Sequence, residues 1–262
     1  MKMILLFFSL FILYPVIDKK NPPAQNNSPK KSVAKKIEEI NKQVPVLCYH
    51  NIKKNPKRED FLTISEAHLD AQLKLLYDSG YHSILPDQLY KYLTLAAGLP
   101  SKPILLSFDD THEEDFSIAK TILEKYGFKA VFFIMTVCID KSNYLTSAQI
   151  KELSDDGHTI GNHTRNHPKI TTLTGKDWEE QIGKPGSKLE KLTGKPVNFF
   201  AYPYGVWNEV SIHELKKRNL KAAFQLSGKT SANEPLFTIR RIMVSGLWSP
   251  FELKRQMEKA FR

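Results

Sequence analysis

The stretch PILLSFDDTHEEDFSIAKTILEKYGFKAVFFIM, residues 103–135, holds an apolar run, a helical segment and a second apolar run. Pro103 precedes the first run, Ile104–Phe108. Glu113–Tyr126 has a helical pattern and stops at Gly127, and Ala130–Met135 is the second run. Short apolar strands separated by amphipathic helices indicate a parallel sheet, whose strands need such crossovers. The same alternation continues in both directions. Upstream lie the apolar run Val44–Tyr49 and a helix capped by Ser65, with Leu69, Leu73 and Leu76 on one face and Gly80 at its end. Downstream come helix Ser147–Asp156, stopped at Gly157, then Thr159–Ile160 and a long helical stretch near Trp178–Leu192. Asn198–Ala201, a helix around Ser211–Arg218, Ala222–Leu226, Thr238–Val244 and a last helix from Pro250 to Phe261 complete the series. The fold class is α/β with about seven parallel strands. The chain has no dinucleotide-type glycine fingerprint, so a (β/α) barrel is expected rather than an open sheet.

The chain ends differ from this core. Met1–Ile17 starts with Lys2, runs nearly apolar from Ile4, contains Pro15 and gives way to Asp18-Lys19-Lys20. It reads as a signal peptide or membrane anchor of an exported protein, at the cell surface, in a periplasm or outside the cell. Residues 18–43 have the Lys, Asn, Pro and Ser content of a flexible linker, and residues 44–262 form the expected folded domain. The net charge of +10 is partly local to the tether, where seven lysines from Lys19 to Lys42 face only Asp18, Glu38 and Glu39. That composition suits a solvated tether and, second, an electrostatic contact with a membrane or envelope. No basic-aromatic interleaving is present, so nucleic acid is not an expected partner. Cys48 and Cys138 sit in or beside apolar runs and read as buried, unpaired thiols, with a disulfide as the alternative.

Four polar clusters follow expected strands: Tyr49-His50, Asp109-Asp110, Asn162-His163 through His167, and Tyr202-Pro203-Tyr204-Gly205. In a parallel barrel the C-terminal strand ends form one mouth, so four separate segments should converge there. Asp109-Asp110 alone also suits a helix N-terminus. His163 and His167 alone also suit two unrelated surface histidines. Together, one acid and two histidines give three ligands and leave room for water, the composition of a catalytic zinc site.

Ser107-Phe108-Asp109-Asp110, followed by His163-Thr164-x-x-His167, resembles the first two motifs of the polysaccharide deacetylases, carbohydrate esterase family 4. Phe200-Ala201-Tyr202-Pro203-Tyr204-Gly205 resembles the third, and Pro45-Val46-Leu47-Cys48-Tyr49-His50 is similar to the start of the branch acting on poly-N-acetylglucosamine. The resemblance spans about residues 44–245 and implies a distorted (β/α) barrel, a divalent metal and deacetylation of an N-acetylglucosamine-containing polysaccharide. Zinc is the first expectation for the metal, with cobalt and nickel as alternatives. Position by position it implies metal ligands Asp110, His163 and His167, the general base Asp109, the oxyanion donor Tyr204 through its backbone N–H, and the general acid His50. No histidine follows His213, which agrees with an acid histidine at the start of the chain. Two positions depart from the family. Thr111 stands where glycine is usual, and Ala201 stands where many members have an arginine that orients the base. Arg241, or its neighbour Arg240, is the expected replacement. Tyr202, Trp207 and Trp248 are candidate walls against sugar faces, with core packing as the alternative for each. The polysaccharide is the expected partner, and the domain is expected to be a monomer. The alternatives are an O-acetyl esterase on xylan or peptidoglycan and an inactive polysaccharide-binding module.

Overall fold

The computed structural model of the chain describes residues 43–261. The leader expected over 1–17 and nearly all of the linker expected over 18–43 lie outside the described residues. Seven parallel strands make the main sheet: β1 (Val46–Tyr49), β5 (Pro103–Asp109), β6 (Ala130–Ile134), β7 (Thr159–Asn162), β8 (Phe199–Ala201), β9 (Ala222–Phe224) and β10 (Ile242–Met243). Their spatial order is β10-β1-β5-β6-β7-β8-β9, so the sequence-distant β10 lies beside β1. Each falls within or beside an apolar run singled out in the sequence. The sheet curls into a distorted (β/α) barrel flanked by helices.

Period-two alternation sorts the strand residues between two cores. Val46, Leu105, Val131, Phe133, Phe199, Ala201, Ala222 and Phe224 pack together inside the curl. Leu47, Tyr49, Leu106, Phe108, Phe132 and Ile134 face outward, against Leu69, Leu73 and Leu76 of α1 (Glu66–Asp78). Ser65 caps α1 by accepting the His68 N–H at 3.2 Å. By the same alternation Cys48 and His50 continue the inner column begun by Val46, Ser107 and Asp109 continue that of Leu105, and His163 follows Gly161. Gly161 has no room for a side chain, since a Cβ there would sit 2.4 Å from the Phe133 ring.

Closure of the barrel falls to one segment. Ile239 pairs with Phe224 of β9, and Ile242 and Met243 pair with Leu47 and Cys48 of β1. Residues 239–243 thus bridge both margins of the sheet, and Arg241 lies in the middle of the bridge.

Three features exceed the sequence expectation. The helix α2 (Pro86–Leu95) sends Leu89 into the inner core. The strands β2 (Asn51–Lys53) and β3 (Thr63–Ser65) form a separate two-stranded parallel sheet, and β4 (His82–Ser83) pairs with the start of β5. The expected helix Glu113–Tyr126 is wound more widely over Asp115–Lys120 before α3 (Thr121–Lys125). The remaining helices, α4 (Ser147–Asp155), α5 (Lys184–Thr193), α6 (Glu209–Lys217) and α7 (Pro250–Ala260), fall where expected.

Candidate active site

Asp109 ends β5 with its side chain inside the barrel mouth, only 2% exposed. Arg241 grips it in a fork, donating from Nη1 to Oδ1 at 2.8 Å and from Nη2 to Oδ2 at 2.8 Å. The guanidinium, 1% exposed, also donates to Ser107 Oγ at 3.1 Å and to the Gln225 carbonyl at 3.2 Å. Of the two arginines considered in the sequence, Arg241 is therefore the one that reaches the acid. Arg240 instead lies over the Phe261 ring, 5.9 Å from its centroid. Burial alone would raise the Asp109 pKa, but the Arg241 charge and hydrogen bonds, together with His163 and His50, outweigh it, and the carboxyl stays well below the usual range.

Asp110 and Thr111 both turn left-handed, at φ 77° and 67°. That explains the expectation of glycine at 111. The threonine tolerates the turn because its hydroxyl accepts the Met135 N–H at 2.7 Å. The turn swings Asp110 away from Asp109 toward the loop after β7. There Asn162 Oδ1 accepts the Thr164 N–H at 2.9 Å, Thr164 Oγ1 accepts the His167 N–H at 2.9 Å, and Thr164 and His167 are themselves left-handed. This tight turn, rather than a helix, brings His163 and His167 to one point, their ring centroids 4.9 Å apart.

Asp110 Oδ1 lies 3.6 Å from His163 Nε2 and 3.7 Å from His167 Nε2. It is buried and has no hydrogen-bond partner. His163 Nδ1 sits 2.8 Å from the Ala201 carbonyl, which only accepts, so Nδ1 carries the proton and Nε2 offers its lone pair. Burial works against charge on His163, yet the Asp109 and Asp110 carboxylates outweigh it and raise its pKa. The point between the three groups thus favours positive charge. Donors around one tetrahedral zinc, at ~2.1 Å each, lie roughly 3.4 Å apart. The orphaned oxygen, the fixed tautomer and the mixed oxygen and nitrogen donors all fit a divalent metal.

His50 stands across the mouth in a cluster with Cys48 and Asp109, whose polar atoms lie within 4.8 Å of one another. Cys48 Sγ donates to Asp109 Oδ2 at 3.5 Å and lies 3.9 Å from His50 Nδ1. Burial pushes the Cys48 thiol up, so it stays neutral, and burial pulls the His50 pKa down. Cys48 and Cys138 are both buried and unpaired. Tyr204 follows β8 at φ 59°, its ring 4.5 Å from that of His167. Gly205, at φ 69°, holds this turn against Leu226, where a Cβ would meet backbone and side chain at 2.8 Å.

The structure separates the three aromatic candidates from one another. Tyr202 is 1% exposed, packs among Phe200, Ile212 and Phe237, and donates its hydroxyl proton to the Phe237 carbonyl at 2.9 Å. It is a core residue and not a sugar wall, because the alternation along β8 turns it outward against the helices. Trp207 is half-buried with Nε1 donating to Gln225 Oε1 at 3.1 Å, and Trp248 is half-buried against the outer core. Ser107, Cys48 and Gln225 take part in the site without being expected there from the sequence. Ser107 carried the clearest signal: it is the one polar residue inside the apolar run Ile104–Phe108, two residues before Asp109 and thus on its face.

Residues 96–223 match the family model for polysaccharide deacetylase. The chain is 26% identical over 204 residues to YxkH of Bacillus subtilis, covering 78% of this chain and 72% of that one. It is 25% identical, in an alignment of 276 residues, to a poly-beta-1,6-N-acetyl-D-glucosamine N-deacetylase of Staphylococcus aureus, covering 93% and 92%. Among solved structures, the deacetylase PplD of Streptococcus pyogenes, in complex with acetate, superimposes with a TM-score of 0.75 at 25% identity, over 82% of this chain and 98% of that one. With the motifs and the barrel in place, these matches show a polysaccharide deacetylase domain over residues 96–223.

Proposed function

We propose that this protein hydrolyses N-acetyl groups from an N-acetylglucosamine-containing polysaccharide and depends on a divalent metal, zinc first, held by Asp110, His163 and His167. The observation that carries the reading is the orphaned Asp110 Oδ1 facing two imidazole nitrogens, beside a separate carboxylate held by Arg241. The similarity to the poly-beta-1,6-N-acetyl-D-glucosamine N-deacetylase of Staphylococcus aureus supports the polymer class. The apolar segment Met1–Ile17 supports action outside the cytoplasm.

The bound cation would supply Lewis-acid polarisation of the attacking water and of the acetyl carbonyl. Asp109 takes the water's proton. Arg241 keeps it ionised and fixes its two oxygens, and a carboxylate of depressed pKa passes the proton on readily rather than retaining it. The Tyr204 N–H receives the developing oxyanion. An amine leaves poorly from a tetrahedral centre, and His50 delivers the proton that releases it. Cys48 bridges the two proton-handling groups and bears no nucleophilic role, since its thiol stays protonated.

The test is acetate release from oligomers of β-1,6-linked N-acetylglucosamine, chitin oligomers, peptidoglycan and acetylxylan, with zinc, cobalt or no metal. Metal-dependent release from the N-acetylated polymers is expected. Release from acetylxylan alone would move the assignment to an esterase, and no release from any polymer would overturn it.

A further inference from the structure

We propose that a cleft beside the His163–His167 turn binds an anionic substituent, a carboxylate or a phosphate, carried on the polymer being deacetylated; this deepens the deacetylase reading and rests on it. The cleft measures about 290 Å³ and is lined by Thr136, Val137, Arg165, Glu180, Lys184 and Lys188, among others. It adjoins the candidate metal site through the backbone. Arg165 lies between the two histidines in sequence, its carbonyl accepts the Val137 N–H at 2.9 Å, and the Thr164 carbonyl accepts the Thr136 N–H at 3.3 Å. Thr136 and Val137 in turn follow β6, which ends at the barrel mouth.

The charges in the cleft do not cancel. Glu180 is already paired with Lys184. Arg165 and Lys188 have no carboxylate within ion-pair distance among the described residues, and Lys188 turns its Nζ inward, onto the Thr136 carbonyl at 3.3 Å. Two cations without an ion-pair contact among the described residues share one concave wall, and Asp140, the acid that feels Lys188, is not among the lining residues. Like charges gathered in a cleft repel each other, and an anion relieves that repulsion while being focused by the low-dielectric walls. None of the lining residues is aromatic, so the cleft lacks the ring faces that a neutral sugar stacks on. Arg165 offers a planar fork and Lys188 a point charge, a combination that suits the oxygens of a carboxylate or a phosphate.

The test measures binding apart from turnover. Dissociation constants are determined by calorimetry for three N-acetylglucosamine pentamers: neutral, carboxymethylated and phosphorylated. The proteins are wild type, Arg165→Gln, Lys188→Glu and the control Lys254→Glu, which makes the same charge change on the distant helix α7. Wild type should bind an anionic pentamer about tenfold more tightly than the neutral one, the scale of two partly exposed ion pairs. Lys188→Glu should abolish that preference, Arg165→Gln should reduce it severalfold, and Lys254→Glu should keep it. The carboxymethylated and phosphorylated pentamers show which anion the cleft takes. Equal affinity of wild type for neutral and anionic pentamers overturns the proposal. So does a preference lost equally in Lys254→Glu, which would mark it as a general effect of net charge. Binding preference without acetate release from any pentamer would overturn the deacetylase reading and leave the anion site standing.

Discussion

Asp109 has almost no access to water, and two of its hydrogen bonds come from a single guanidinium. Arg241→Gln would leave that carboxylate buried without its counter-charge, at a cost of about 3–5 kcal/mol in stability, measurable by chemical denaturation. Arg241→Lys should restore charge without the fork, recovering part of the stability and less of the acetate release. The three donors behave differently. Alanine at Asp110, His163 or His167 should remove bound metal and activity together, as elemental analysis would show, whereas Asp109→Asn should keep most of the metal and lose turnover. Full metal occupancy in all three alanine variants would be incompatible with the assigned ligand set. For His50, alanine should slow N-deacetylation by roughly two to four decades, the usual scale of general acid catalysis. The loss should shrink sharply on an activated acetyl ester, whose leaving group needs no proton. Equal loss on both substrates, with a lowered melting temperature, would refute the acid role. At this scale the motifs made Asp109, Asp110 and the histidine pair legible. For Tyr202 the sequence left sugar wall and core packing both open, because a motif records that a tyrosine is required, not which way the strand turns it.

The bases of β6 and β7 are joined by a buried histidine. His158 Nδ1 accepts the Ala130 N–H at 3.1 Å, the ring lies edge-on to Phe132, and Nε2 has no partner. Burial first, and Lys129 second, lower its pKa from 6.5 to about 4. The folded value lies below the unfolded one, so the unfolded chain binds the extra proton. Stability from this residue is therefore complete above about pH 6.5 and falls as the pH drops toward 4, by at most ~3 kcal/mol. His158→Asn, which keeps an acceptor near Ala130, should flatten that part of the stability profile. An unchanged slope between pH 6.5 and 4 would mean that other groups set it. Elements were readable where an apolar run was bounded by Gly or Pro, which is how all seven strands of the main sheet came through. The helix α2 escaped because few of its residues are apolar and buried, although Pro86 at its first position was a usable start signal. The strands β2 and β3 escaped because three residues each, paired only with one another, carry too little periodicity to register.

In the whole molecule, the curl that makes the mouth is completed by the segment running from Ile239 to Val244, bonded to β9 at one end and to β1 at the other. No local pattern could reveal this, since the partners Cys48 and Met243 are separated by most of the domain. Such distant pairing is slow to form, because the chain must close a long loop before any contact rewards it. The same segment delivers Arg241 to Asp109, so closing the barrel and neutralising its buried acid are one event. This sets an order on synthesis. A chain growing from its N-terminus makes β5, β6 and β7 long before residue 241 exists, and until then Asp109 has no arginine to receive it. Partly made chains should therefore stop short of a packed mouth, and a product ending at residue 237 should show early-exchanging amides across β1 and β5 in hydrogen-exchange measurements. The bridging segment acts as an inspector: the interior is sealed only in chains extended beyond residue 243.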